Sequence, residues 1–200
     1  MPEAQRPHKP SLLCLSIIGL HNAGKTTLAQ ALIQDWVRRG LKVAVVKRDG
    51  HATSFHRNDW EKQGSDTQLL SQAGATLTLL VGADHSLLHT HADPDTGDVL
   101  ALCRRLWQHS QQLGGNLDAI VVEGFKHGPL PKLAVVSSKQ EWIGLQQAGI
   151  HNLRAVFLRA PRGLCDEDWL VGWTGPVYHI DNLTELWEQA LTWQTTWNWV

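Results

Sequence analysis

The chain has 200 residues, enough for one domain with a sizeable core that needs no disulfide or metal to staple it. Hydrophobic residues make up 42% and charged residues 18%, as in an ordinary globular protein, and the formal net charge of −1 excludes a general electrostatic grip on nucleic acid or on an anionic membrane. The three cysteines, Cys14, Cys103 and Cys165, lie far apart with no CxxC spacing. That pattern argues against a disulfide framework and fits buried structural thiols in a reducing cytosol.

Residues 1–11 are polar and contain prolines, and are expected to form a flexible leader ahead of a single domain over 12–195 and a tail at 196–200. Arg6 and Lys9 before the apolar run 12–20 imitate a short signal peptide. That run, however, leads straight into a glycine-rich loop that its removal would destroy, and no small-residue cleavage site follows. No apolar stretch reaches the roughly 18 residues that a membrane-spanning helix requires.

Residues 12–18 are continuously apolar, as in a strand covered on both faces. Leu28, Leu32, Ile33 and Trp36 recur at helical spacing over 25–39, and Gly40 ends that helix. A second apolar strand follows at 42–46, which completes a βαβ unit and implies a parallel sheet. Residues 47–64 are polar and irregular, a length that marks a functional or mobile loop. A short helix is expected over 65–72 with Ser65 as its N-cap, and a strand over 75–81. Residues 87–97 read as a hairpin or loop, with Asp93-Pro94-Asp95-Thr96-Gly97 as its turn.

Val99, Leu102, Cys103 and Leu106 line one face of an amphipathic helix over 98–112. Residues 117–122 form another buried strand, and 132–136, 155–158 and 177–180 are further short strands. Asp181 or Asn182 caps a last helix carrying Leu183, Leu186, Trp187 and Ala190. Four of the ten tryptophans (Trp187, Trp193, Trp197 and Trp199) crowd the C-terminus, where they serve either packing or a dimer or partner contact.

Gly19-Leu20-His21-Asn22-Ala23-Gly24-Lys25-Thr26 satisfies G-x-x-x-x-G-K-[ST] in full, between an apolar strand and an amphipathic helix. The glycines allow backbone to approach phosphate, and successive N–H groups converge on it at the positive end of the helix. Lys25 is placed to neutralise β and γ oxygens, Thr26 to ligate Mg²⁺ and Thr27 to reach the α-phosphate. The expected fold class is therefore α/β: a P-loop NTPase with a mostly parallel twisted sheet flanked by helices and a possible small antiparallel appendage.

Ligands of such sheets meet the carboxyl ends of strands. Two ends carry suitable groups, Asp49 after the second strand and Glu123 after the strand over 117–122. Either carboxylate can hold Mg²⁺ or orient a water, and both are candidate catalytic groups. No N-K-x-D motif for guanine is present, and Ser137-Ser138-Lys139-Gln140 is a poor substitute, so the residues leave GTP and ATP open. Asp84, His85, His89, His91 and Asp93 cluster locally, and His51 and His56 lie in the polar loop. Their spacing matches no standard zinc site and reads as solvated imidazoles.

Four segments together resemble the MobB family of molybdopterin-guanine dinucleotide biosynthesis adapter proteins. They are Gly19 to Thr27; Val46-Lys47-Arg48-Asp49-Gly50-His51; Gly64-Ser65-Asp66-Thr67 with Ala73-Gly74-Ala75; and the most distinctive, Val122-Glu123-Gly124-Phe125-Lys126-His127-Gly128-Pro129-Leu130-Pro131-Lys132. The resemblance covers about 12–136. It implies a cytoplasmic homodimer that binds GTP with Mg²⁺ and hydrolyses it weakly. It also implies assistance to the MobA-type nucleotidyltransferase that joins GMP to molybdopterin. On that likeness Gly24, Lys25, Thr26 and Thr27 bind phosphates, and Asp49, His51, Asp66 and Glu123 face the nucleotide or the pterin-side cleft; Gly19, His21, Asn22 and Ala23 join the candidate nucleotide-binding residues through the loop motif. Thr26, Asp49 and Glu123 remain the candidate metal ligands from the motif and the strand ends. The chain departs from the family's pattern at Arg48, where a histidine is usual, and near Gln68. A small-molecule kinase and a nucleotide-gated binding module without turnover are the competing readings.

Overall fold

The computed structural model describes residues 12–48, 69–70, 73–90, 95–163 and 167–193. The leader, the expected helix start at Ser65, and the residues Asp49, His51, His56, Asp66, His91, Asp93, Cys165, Trp197 and Trp199 lie outside them.

The elements, in chain order, are β1 (Leu13–Ile18), α1 (Lys25–Arg38), β2 (Val43–Lys47), β3 (Leu77–Val81), β4 (Ser86–Thr90) and α2 (Val99–Gln112). They continue with β5 (Ala119–Glu123), β6 (Lys132–Val136), α3 (Lys139–Gln147), β7 (Leu153–Leu158), β8 (Val177–His179) and α4 (Leu183–Leu191). By contact the chain forms two compact units, 49–98 and the remainder.

The larger unit holds a six-stranded sheet in the order β2-β5-β1-β6-β7-β8, with every pairing parallel. β1 stands near its middle, which is why all six of its residues are buried and why it reads as an unbroken apolar run. Its side chains alternate between layers. Leu13, Leu15 and Ile17 meet Leu28, Leu32 and Trp36 of α1 and Leu186, Trp187 and Ala190 of α4. On the other face Cys14 joins Val99 and Cys103 of α2, and Ile18 joins Trp142 and Leu145 of α3. Cys14 and Cys103 are buried free thiols, and their mutual hydrogen bond and burial push the Cys14 thiol far above its ordinary value. Trp187 and Trp193 belong to the core, so part of the C-terminal tryptophan cluster serves packing.

Helix α3 was not among the expected elements. Ser138 is its N-cap, accepting from the Glu141 N–H at 3.3 Å, while the Glu141 carboxylate accepts from the Ser137 N–H at 2.7 Å. The segment Ser137-Ser138-Lys139-Gln140 is thus a helix start rather than a base-reading loop.

The smaller unit contains an antiparallel pair, β3 and β4, with Leu79 opposite Leu88. The chain reverses at Gly82–His85, where the Gly82 N–H meets the His85 carbonyl at 2.8 Å, earlier than the Asp-Pro-Asp-Thr-Gly turn that the composition favoured. Two leucine-rich stretches bracket the glycine and set that register. Leu77, Leu79, Leu80, Val81, Leu87 and Leu88 are all exposed in the chain.

Candidate functional site

The glycine-rich loop joins β1 to α1 at the carboxyl edge of the parallel sheet. A Cβ at Gly19 would lie 2.6 Å from the Val135 carbonyl oxygen, so only glycine fits where the loop crosses β6. Asn22 and Gly24 take left-handed backbone, with φ of 60° and 94°. The Leu20 carbonyl accepts from the Ala23 N–H at 3.3 Å and from Lys25 Nζ at 2.6 Å, which folds the lysine back over the loop. Ala23 is buried, whereas His21, Asn22, Thr26 and Thr27 are exposed. Gly24 is the N-cap of α1 and the first turn carries no acidic residue, so no side chain competes there for the N–H groups that favour an anion.

Glu123 ends β5, beside Lys47 at the end of β2. Thr26 Oγ1 donates to this carboxylate, 3.0 Å from Oε1 and 2.9 Å from Oε2, and Lys47 Nζ stands 3.6 Å from Oε2. A hydroxyl and a carboxylate in contact at the mouth of the loop form a hard-oxygen pair suited to a divalent cation that also takes phosphate oxygens. Among the described residues no group of three His, Cys, Asp or Glu side chains could hold a metal by itself. His85 pairs instead with Asp84 at 2.5 Å, both well exposed.

The loop after β5 is tied on several sides. Gly124 and Phe125 both have positive φ, 107° and 52°. The Gly124 carbonyl accepts from Ser16 Oγ at 2.6 Å, its N–H reaches the Ile17 carbonyl at 3.0 Å, and the Arg48 N–H reaches the Glu123 carbonyl at 3.0 Å. The Arg48 guanidinium lies 5.0 Å from the Phe125 ring centre. Gly128 is crowded: a Cβ there would stand 2.9 Å from Val99 Cγ1.

Lys132 closes the motif and is fully buried. Its ammonium donates to three carbonyls, those of Gly128, Leu130 (3.0 Å) and His151 (2.8 Å). Desolvation lowers its pKa. The sequence reading gave Lys132 no role of its own, and the structure makes it the internal fastener of the 124–131 loop.

The structure therefore brings Gly19, His21, Asn22, Ala23, Gly24, Lys25, Thr26 and Thr27 together with Glu123. Asp49, His51 and Asp66 lie outside the described residues. The sequence offers Arg159, the residue after β7, no lid-like setting, and so gives it no role. Its side chain rests on the loop, with Cδ 3.0 Å and Nε 3.1 Å from where a Cβ on Gly24 would stand.

A parallel sheet with this loop after its central strand, and an acidic strand end against the loop's threonine, defines the nucleotide-binding P-loop NTPase fold. The chain belongs to the MobB family: the family model of the molybdopterin guanine dinucleotide synthesis protein B matches residues 14–157. The chain is 26% identical over 168 residues to the probable molybdopterin-guanine dinucleotide biosynthesis adapter protein of Bacillus subtilis strain 168, spanning 84% of this chain and 86% of that protein. It is 32% identical over 121 residues to the Haemophilus influenzae adapter protein, a match that spans 60% of each. Among solved structures, Bacillus subtilis MobB is similar with a TM-score of 0.65 at 22% identity, over 92% of this chain and 99% of that one. The MobB homologue of Bacillus stearothermophilus gives 0.57 at 25% identity, over 90% and 95%.

Proposed function

We propose that this chain is an adapter in molybdopterin guanine dinucleotide synthesis that binds GTP with Mg²⁺, hydrolyses it slowly and assists the nucleotidyltransferase joining GMP to molybdopterin. The observation that carries the reading is the Thr26–Glu123 pair at the mouth of the P-loop, 2.9–3.0 Å apart. Thr26 and Glu123 have the donor chemistry for Mg²⁺, which when bound would neutralise charge on the β and γ oxygens.

The remaining work falls to the chain itself. Loop N–H groups and the N-terminus of α1 hold the phosphates, and Lys25 swings from the Leu20 carbonyl to the β and γ oxygens. Lys47, 3.6 Å from Glu123, helps to orient the carboxylate. Asp49, His51 and Asp66 take their nucleotide- and pterin-facing roles from the family resemblance alone.

A homodimer in the cytoplasm completes the proposal. The exposed leucines of β3 and β4 support self-association, since an apolar two-stranded hairpin is not stable in water without cover. Among the described residues no helix is long and apolar enough to cross a membrane.

The test is reconstitution of GMP transfer to molybdopterin by the nucleotidyltransferase, with and without this chain. Stimulation that needs GTP and is not supported by ATP is the expected result. Transfer of the γ-phosphate to a small acceptor would favour a kinase and contradict the adapter role.

A further inference from the structure

Arg159 follows β7 at the carboxyl edge of the sheet and reaches the P-loop from there. A Cβ on Gly24 would lie 3.0 Å from Arg159 Cδ, 3.1 Å from Nε and 3.5 Å from Cζ. The start of the guanidinium plane therefore lies against backbone at the N-cap of α1. This is an unfavourable place for a cation: a helix N-terminus carries roughly half a positive charge, and Lys25 is the next residue. Among the described residues neither a carboxylate nor a hydrogen-bond acceptor pairs with Arg159.

Its position is nonetheless built. His179, 1% exposed, engages both ring nitrogens, with Nδ1 3.1 Å from the Ala160 carbonyl and Nε2 2.7 Å from Glu167. The Arg162 N–H faces both Asp181 oxygens at 3.3 Å. The turn leaving β7 is thus tied to the end of β8, and it presents Arg159 on a fixed backbone.

The order of strands says which part of a nucleotide this cation meets. Glu123 and Lys47 stand on the β5 and β2 side of β1, where a metal-bearing γ end belongs. β7 stands on the opposite side, two strands away in the order β1-β6-β7, at about 5 Å per strand. With the β-phosphate on the loop and its metal toward Glu123, ribose and base leave toward β6 and β7. A guanidinium is planar and weakly hydrated, and it stacks on aromatic rings where an ammonium does not.

We propose that Arg159 packs its guanidinium plane on the nucleoside end of the bound nucleotide, against the purine ring, with the Gly24 backbone behind it. This rests on the P-loop reading above. Arg159 is exposed, so its removal leaves the core intact.

The test is equilibrium binding of GTP, GDP and inorganic tripolyphosphate, each with Mg²⁺, to the full chain and to Arg159→Ala, Arg159→Lys and Lys25→Ala, with the melting temperature of each variant measured alongside. Arg159→Ala is expected to weaken GTP and GDP alike, by about tenfold, and to leave tripolyphosphate within about twofold. Arg159→Lys restores little of the loss, because the ammonium keeps the charge without the plane. Unchanged GTP and GDP affinity overturns the proposal. So does equal loss for tripolyphosphate, which would mean a phosphate contact, or loss for GTP alone, which would mean a γ-phosphate contact. Lys25→Ala separates the two readings. If it weakens all three ligands while Arg159→Ala is silent, only the Arg159 proposal fails. If Lys25→Ala changes none of them, the P-loop reading fails and takes the proposal with it.

Discussion

On the β5 flank of the P-loop the charges are matched: Glu123 takes the Thr26 hydroxyl in contact and Lys47 at 3.6 Å. On the β7 flank Arg159 lies against Gly24 with no carboxylate partner among the described residues. The first flank holds itself in order before any ligand arrives, and binding must replace the existing Thr26–Glu123 and Lys47–Glu123 contacts with better ones. The second stores unfavourable charge that an electron-rich ligand would relieve. On the proposed reading, such a site would gain metal-dependent affinity on one side and hold the nucleoside on the other.

The strongest way to break that contrast is to loosen the loop that follows Glu123. Lys132→Met leaves the carbonyls of Gly128, Leu130 and His151 without their donor, and should cost about 3 kcal/mol of stability in denaturant unfolding. Burial holds the Lys132 ammonium below its ordinary pKa, so the unfolded chain binds that proton more tightly. Wild-type stability should therefore rise with pH between the folded value and the unfolded one near 10.5, and Lys132→Met should lose that slope.

A narrower cut removes one charge. Glu123→Gln should lower the Mg²⁺-dependent part of nucleotide affinity by about tenfold, read by titrating the metal at fixed nucleotide, because an amide oxygen is a poor substitute for a carboxylate. Equal loss with and without Mg²⁺ would mean that Glu123 supports the fold rather than the ion.

The smallest effect is expected in the smaller unit. Leu79 and Leu88 face each other across the hairpin, both about half exposed. Leu79→Lys should weaken self-association by several-fold in sedimentation while leaving nucleotide affinity unchanged. A dimer indifferent to this change would have its contact elsewhere.

Much of the larger unit was legible in the chain because its elements carry their own signals. β1 lies between two layers of helices and so has no polar face, and α1 and α2 repeat their apolar residues at helical spacing. The P-loop and Glu123 were legible because a local motif and a strand end were enough to place them. Helix α3 carries a readable start as well, Ser138 followed three residues later by Glu141, but it is nine residues long and buries only Trp142 and Leu145, too few to announce a helix by periodicity. Arg159 was out of reach for a different reason. Nothing within 153–159 says that β7 lies two strands from β1; that neighbourhood comes from the crossovers, which bring residues about 135 positions apart in sequence to one loop. The hairpin's turn was misplaced because Asp-Pro-Asp-Thr-Gly has stronger turn chemistry than Gly82-Ala83-Asp84-His85, yet strand pairing set the register.

The central claim is that the P-loop holds GTP for an adapter's work, and equilibrium binding of GTP and of ATP with Mg²⁺ to the wild type and to Lys25→Ala tests it most directly. The account predicts a clear preference for GTP, and a loss of about 100-fold in the variant as the lysine's charge-assisted contacts to phosphate disappear. Preference for ATP, or undiminished binding by Lys25→Ala, would contradict it.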